Sequence, residues 1–221
     1  IYKYCPIVLF LLISNIWLAE ADYNLKDLKG TSKIELISSS IYETSLETTV
    51  QDYMLVPLDD TGTKFKVFID QGASIMEMGN PDIPKLSTSI IIPDNMEMEV
   101  NVINYEYTEY PNVYLAPSKG NITRDIDPNT IPFRYGKTYK ENAFYPGELA
   151  QLEDPYILRD VRGQSVIFYP IQYNPFTKVL RVYNKINVEL TSSGSSFGKN
   201  ILSRESGTIK TDPEFMHMYE D

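Results

Sequence analysis

The sequence has 221 residues, of which 43% are hydrophobic and 23% charged, the balance of an ordinary globular domain. Its formal net charge is −10 at pH 7, and no basic stripe runs along the chain, which excludes a nucleic-acid-binding surface. One histidine and one cysteine are too few for most catalytic or metal-binding arrangements that depend on these side chains.

Residues 1–21 have the pattern of a signal peptide. Lys3 supplies a positive charge, residues 6–18 are an apolar run, and Ala-Glu-Ala at 19–21 fits the small-x-small cleavage pattern. The apolar run is shorter than a typical membrane span. We therefore predict a secreted or cell-surface domain that begins near Asp22 and has no membrane contact after the signal is removed.

Residues 33–107 predict a series of short strands, because apolar and polar residues alternate there with a period of two. Phe65, Val67 and Ile69, for example, fall on one face of a single strand. Turn residues such as Gly79-Asn80-Pro81 separate the segments. The predicted strands cover residues 33–41, 51–56, 63–69, 85–92 and 96–107, with a turn at residues 59–62.

Two further strands are predicted at residues 165–173 and 178–190, and Asn174-Pro175-Phe176-Thr177 is a hairpin turn signal between them. Short strands, frequent turns and no amphipathic helix indicate an all-β sandwich, which we assign to residues 22–190. Residues 191–200 are rich in Ser and Gly, which is typical of a flexible linker, and residues 201–221 are interpreted as a tail.

The stretch from Pro111 to Gly163 interrupts this alternation with prolines and glycines, which excludes a long helix or a central strand. Long irregular connections are uncommon in compact domains and usually carry function or disorder. We predict an anchored loop that presents Lys119 and Arg124 for recognition. The candidate anchors are Tyr114, Leu115, Ile131, Phe133, Tyr135, Tyr139, Phe144, Tyr145 and Leu149.

The residues offer little for catalysis. His217 lies in the predicted tail and Cys5 leaves with the signal peptide, so no Ser-His-Asp or Cys-His arrangement is available within a preformed core. Asp125-Ile126-Asp127 supplies carboxylate oxygens but lacks the rest of a calcium-binding loop. We therefore predict a domain without enzymatic activity, metal or cofactor.

Five motifs follow one another between residues 79 and 190. They read APSKGNITR, IPFRYGKTY, FYPGELAQLEDP, ILRDVRGQ and YNPFTKVLRVY. In this order and spacing they closely resemble the N-terminal prodomain of the gingipains, secreted cysteine endopeptidases of the caspase-like clan. Several motifs in one order are far more specific than a single short motif. The resemblance implies a jelly-roll-like sandwich that keeps a cysteine protease domain latent, assists its folding and is then removed by proteolysis.

The resemblance also implies which residues inhibit. In arginine-specific gingipain precursors the matching loop enters the protease cleft, and its arginine fills the primary specificity pocket. That arginine corresponds to Arg124 here, and Lys119 is the second choice because lysine-specific relatives exist. The predicted partner is the cognate protease catalytic domain, and the predicted inhibitory loop consists of Lys119, Gly120, Asn121, Ile122, Thr123, Arg124 and Asp125.

The residues alone leave two other functions to consider. One is a secreted cell-surface sandwich that binds carbohydrate or protein, which an exposed aromatic platform among the tyrosines of the central loop would favour. The other, a freestanding hydrolase, is disfavoured by the missing nucleophile–base pair. The remaining arginines of the stretch, Arg134, Arg159 and Arg162, are interpreted as structural residues that pair with Glu148, Asp154 or Asp160.

Folding of the exported domain should require neither metal nor oxidant, since it has no cysteine and no ligand cluster. We expect the same thermal unfolding midpoint with and without a chelator, and with and without a reductant. A large drop in the midpoint with either reagent would contradict this prediction.

Overall fold

The computed structural model describes residues 30–58 and 62–203. The predicted signal peptide, most of the predicted turn at residues 59–62, and His217 lie outside the described residues. Within the described part of the chain, no helix is long and apolar enough to cross a membrane.

The described residues form β-strands and two 3-10 turns, Pro128–Thr130 and Lys137–Lys140. The strands are β1 (Ser32–Ser39), β2 (Glu43–Val50), β3 (Met54–Pro57), β4 (Phe65–Phe68), β5 (Ala73–Ser74), β6 (Pro84–Ile91), β7 (Met96–Tyr110), β8 (Ala150–Leu152), β9 (Tyr156–Leu158), β10 (Val161–Phe168), β11 (Ile171–Asn174) and β12 (Val179–Phe197).

Two antiparallel sheets contain most of these strands. The first has the order β1-β2-β12-β11, with β7 also paired to β12, and the second has the order β5-β6-β10-β8, with β9 paired to β10. The β3 and β4 strands form a separate pair. Both sheets contribute to one apolar core, in which Leu46, Ile186 and Val188 of the first sheet join Leu86 and Phe168 of the second. The predicted all-β sandwich is confirmed.

Strand β2 was not predicted from the sequence. Its inward-facing residues are Thr44, Leu46, Thr48 and Val50, all buried. Two of these four are threonines, which count as polar in a hydrophobic pattern but favour strands because they are β-branched. The apolar alternation is therefore too weak to reveal the strand.

The predicted single strand at residues 165–173 is wrong, because the structure divides this segment between the two sheets. Strand β10 ends at Phe168 in the second sheet, and β11 begins at Ile171 in the first. The corner is Tyr169–Pro170. Proline has no N–H to continue a ladder, and the Pro170 carbonyl accepts from the Tyr183 N–H at 2.8 Å.

The predicted flexible linker at residues 191–200 is wrong over residues 191–197. Strand β12 continues through Phe197, and it pairs with β7 from Thr191 to Ser193 and again at Phe197, with a register shift between the two. A Ser/Gly-rich composition predicts a linker only where no partner strand is available. Here β7 is long enough to supply the partner backbone.

Arg162 is structural, as predicted, but its partners are different. Its side chain is fully buried, and its guanidinium donates hydrogen bonds to four main-chain carbonyls at 2.6–2.9 Å. Burial lowers the pKa of this guanidinium, and the charge of Asp94 opposes the shift. The sequence pattern cannot reveal this arrangement, because carbonyl partners leave no residue-type signature.

Buried tyrosines are a further feature of this sandwich. Burial raises the pKa of Tyr173 to about 12, and it also raises the pKa values of Tyr139, Tyr145, Tyr169 and Tyr183. An unperturbed phenol titrates near pH 10. The folded state therefore holds protons that the unfolded chain releases at lower pH.

Because the buried tyrosines have raised pKa values in the folded state, the domain is expected to lose stability at alkaline pH. The contribution of the buried phenols to the free energy of unfolding is complete below about pH 10 and is lost as pH rises toward about 12. We expect phenolate absorbance and circular dichroism to show one group of tyrosines that ionises only as the sheets unfold. Titration of all tyrosines at one midpoint, with the native spectrum retained, would contradict this prediction.

Candidate functional site

The central stretch begins after β7, and its first limb is fixed by Tyr173 of β11. The Tyr173 side chain is 2% exposed, and its hydroxyl donates to the Val113 carbonyl at 2.7 Å. Next to this contact, the Phe65 carbonyl of β4 accepts from the Ala116 N–H at 2.8 Å. Leu115, between the two, is buried in the core. The chain is therefore held on both sides before it reaches Lys119.

The returning limb is fixed to the same strand. Tyr145 and Tyr173 exchange two main-chain hydrogen bonds, each of 2.9 Å. The Tyr139 hydroxyl donates to the Leu115 carbonyl at 2.9 Å, which joins the two limbs directly. Leu115, Tyr139 and Tyr145 are thus anchors, as predicted, whereas Tyr114 and Tyr135 are half exposed.

A pair of glycines brings the returning limb against the β5–β6 connection. The Gly136 N–H donates to the Gly79 carbonyl at 2.9 Å. A Cβ atom on Gly136 would lie 2.8 Å from that oxygen, so any side chain would separate the two backbones. Gly79 itself has φ of +88°, a conformation that other residues rarely adopt.

Lys119 closes the base of the predicted inhibitory loop. Its Nζ donates to the Pro128 carbonyl at 2.7 Å and lies 4.4 Å from the centre of the Phe133 ring. The first interaction bridges the start and the end of the loop, and the second is a cation–π contact. The Lys119 ammonium therefore already has partners within the domain.

Arg124 lies at the tip of the same loop. The Ile126 N–H donates to the Thr123 carbonyl at 3.1 Å, which closes a turn with Arg124 and Asp125 at its two central positions. Arg124 is exposed, and it makes no hydrogen bond or ion pair within residues 30–58 and 62–203. A hydrogen bond with the Thr123 side chain lowers the pKa of Asp125, so this carboxylate is ionised at neutral pH.

Gly120, Asn121 and Ile122 connect Lys119 to the turn at the tip of the predicted loop. Gly120 has φ of +82°, and its N–H donates to the Ser118 hydroxyl at 3.1 Å. Asn121 is exposed, and Ile122 is half-buried beside a cleft of about 260 Å³. Met78 lines the same cleft, and a Cβ atom on Gly120 would lie 3.2 Å from the Met78 Cβ.

The Asp127 carboxylate accepts from the Asn129 N–H at 2.9 Å and so begins the first 3-10 turn. Among the described residues, no group of three or more His, Cys, Asp or Glu side chains is placed to hold a metal ion. The Asp127 carboxylate therefore helps to begin the first 3-10 turn.

Sequence reasoning missed the residues that support the loop from other segments. Met78 and Gly79 belong to the β5–β6 connection. Phe133 was predicted as an anchor, but its contact with Lys119 was not. The pairing of Lys119 with a carbonyl and an aromatic face had no signal in the sequence. No signal in the sequence indicates that Gly79 and Gly136 meet, because they lie far apart in the chain.

Comparisons with known proteins identify relatives of this arrangement. The model of the Propeptide_C25 family matches residues 39–212. Gingipain R1 of Porphyromonas gingivalis is 46% identical over 149 residues, which are 67% of this chain and 15% of the relative. The chain thus spans a small part of the length of that relative.

Two solved structures have a similar fold. One is the complex of the pro- and mature domains of RgpB from Porphyromonas gingivalis, with 37% identity and a TM-score of 0.73 over 77% of this chain and 90% of that chain. The other, on the zymogenic latency of gingipain K from the same organism, has 24% identity and a TM-score of 0.64 over 77% and 97%. At that identity it supports the fold alone.

The family match extends over most of the described sandwich, including the closed loop and its anchors. The chain belongs to the Propeptide_C25 family and is a prodomain of the gingipain type, in which the catalytic domain is separate.

Proposed function

We propose that this prodomain keeps a gingipain-like cysteine peptidase latent by inserting its basic loop into the active-site cleft, with Arg124 in the primary specificity pocket. The proposal includes assistance in folding the peptidase, followed by proteolytic removal. It also includes export by the N-terminal signal segment to the cell surface or beyond. The relatives named gingipain, and the RgpB complex of pro- and mature domains, support this proposal.

The observation that carries it is the division of roles between the two basic residues of the loop. Lys119 is bound to Pro128 and to the Phe133 ring, so it closes the loop. Arg124 is exposed at the tip, and the described residues offer it no partner. A planar guanidinium can bind a pocket carboxylate through two parallel hydrogen bonds.

The turn at the tip explains how such a loop would inhibit without being cut. A peptidase attacks a peptide bond whose backbone is aligned with the nucleophile. The Arg124–Asp125 bond lies instead in the middle of a closed turn, held by the Ile126–Thr123 hydrogen bond of 3.1 Å. The side chain can therefore occupy the pocket while the backbone stays poorly placed for attack.

The alternative, a surface module that binds carbohydrate or protein, has less support. Such a site needs exposed aromatic faces. The Tyr114 ring has the Lys178 Nζ at 4.4 Å from its centre, and Tyr135 packs edge-on to Tyr139 with centres 4.8 Å apart. These exposed tyrosines of the central stretch do not form a flat platform.

Substitution of Arg124 tests the proposal. If its guanidinium fills a carboxylate-bearing pocket, Arg124→Ala should weaken inhibition by about 2–5 kcal/mol, or roughly 30-fold to several-thousand-fold. Arg124→Lys should recover only part of this loss, because lysine cannot form the bidentate pair. The measurement is a titration of the mature peptidase of the same precursor with purified prodomain variants.

Two variants serve as controls. Lys119→Met keeps the alkyl chain over Phe133 and removes the hydrogen bond to Pro128, so it should cost at most about tenfold. Lys33→Ala removes an equal charge from β1, away from the loop, and should leave inhibition unchanged. Equal inhibition by the wild type and Arg124→Ala would refute the insertion of Arg124, and a large loss for Lys119→Met alone would assign the pocket to Lys119.

The stability of the free domain separates binding from folding. Arg124 is exposed, so Arg124→Ala should change the free energy of unfolding by less than about 0.5 kcal/mol. Urea unfolding of the free domain measures this directly. A larger loss of stability would mean that weakened inhibition reports on folding.

A further inference from the structure

The last described residues, 198–203, form an exit segment that lies against the sandwich around the buried Arg162. The Arg162 Nη2 donates to the Lys199 carbonyl at 2.7 Å, and its Nε donates to the Asn200 carbonyl at 2.9 Å. Two consecutive peptide groups of the exit segment are therefore bound to one fully buried side chain.

The same guanidinium is fixed from the other side. Its Nη1 donates to the carbonyl of Pro93 in the connection between β6 and β7, at 2.6 Å, and to that of Met96 at the start of β7, at 2.7 Å. Arg162 and these four carbonyls form a clamp. The clamp joins the exit segment to the second sheet, because Arg162 belongs to β10.

Main-chain bonds extend the attachment to both ends of the segment. The Gly198 N–H donates to the Asn95 carbonyl at 3.2 Å, and the Leu202 N–H donates to the Asp94 carbonyl at 2.9 Å. The Gly198 position has no room for a side chain, since a Cβ there would lie 2.6 Å from the Arg162 Nη2.

We propose that this clamp protects a latent processing site, the Lys199–Asn200 peptide bond, from peptidases that cut after basic residues. The Lys199 side chain is 71% exposed, so such a peptidase could bind it after displacing its ion pair with Asp154. The peptidase must also bind the Lys199 carbonyl, because charge develops on that oxygen during attack. In the folded domain, Arg162 already binds this oxygen.

The backbone conformation adds to the protection. Asn200 has φ of +49°, in the left-handed region, so the chain after Lys199 is not extended as a bound substrate would be. Hydrolysis would add one water across the Lys199–Asn200 C–N bond, leaving a carboxylate on Lys199 and an amine on Asn200. The clamp must open before that reaction, and this requirement holds whether or not Arg124 enters a protease pocket.

Limited proteolysis of the full chain with trypsin tests the proposal. Mass spectrometry gives the rate of cleavage after Lys199 in the native protein and in the urea-unfolded protein, corrected for the activity of trypsin in urea. We expect the native rate to be lower by at least about 30-fold, because cleavage has to wait for local opening. A native rate within a few-fold of the unfolded rate would overturn the proposal.

Two variants distinguish the clamp from the ion pair. Gly198→Val forces a side chain against the guanidinium and should raise native cleavage after Lys199 by about tenfold or more. Asp154→Ala frees the Lys199 side chain but leaves the clamp intact, and it should change the rate by less than about threefold. The reverse order of effects would assign the protection to the ion pair and overturn the role of Arg162.

Hydrogen exchange provides a readout that does not depend on the variants folding. In the wild type, the Gly198 and Leu202 amides should exchange slowly, because each donates to a carbonyl of the β6–β7 connection. Exchange of both amides at the rate of an unfolded chain would contradict the clamp.

Discussion

The position of the candidate site depends on one buried tyrosine. Tyr173 holds the first limb of the central stretch through its hydroxyl and the returning limb through its backbone. Both contacts lie on β11, which β12 joins to the rest of the first sheet. An irregular stretch of this length would otherwise lose much of its conformational entropy on binding. Anchoring it in advance to a strand makes a defined loop possible.

Within the anchored stretch, one basic residue closes the loop and a different one is exposed for recognition. The Lys119 ammonium binds a carbonyl and an aromatic ring, while Arg124 is exposed on a hydrogen-bonded turn. The two basic residues lie only five positions apart in the chain, yet the fold gives them different environments.

The sequence predicted those features that depend on the type of residue or on the alternation of apolar and polar residues. Alternation located β4, β6 and β7, and prolines and glycines marked the irregular stretch. It could not reveal β2, whose buried threonines count as polar, or the corner at Tyr169–Pro170 that moves the chain between sheets. Nor could it show that Lys119 and Arg162 bind main-chain carbonyls, because every residue carries one. The proposed role of Arg124 rests on family resemblance, and the geometry adds its exposure and the closure of the loop.

The most direct measurement for the central claim is the structure of this chain bound to the mature peptidase of its own precursor. We expect the Arg124 guanidinium in the primary specificity pocket, with two N–H···O hydrogen bonds of about 2.7–2.9 Å to a carboxylate. We also expect Lys119 to keep its contact with Pro128. A complex with Arg124 in solvent, or with Lys119 in the pocket, would contradict the insertion of Arg124.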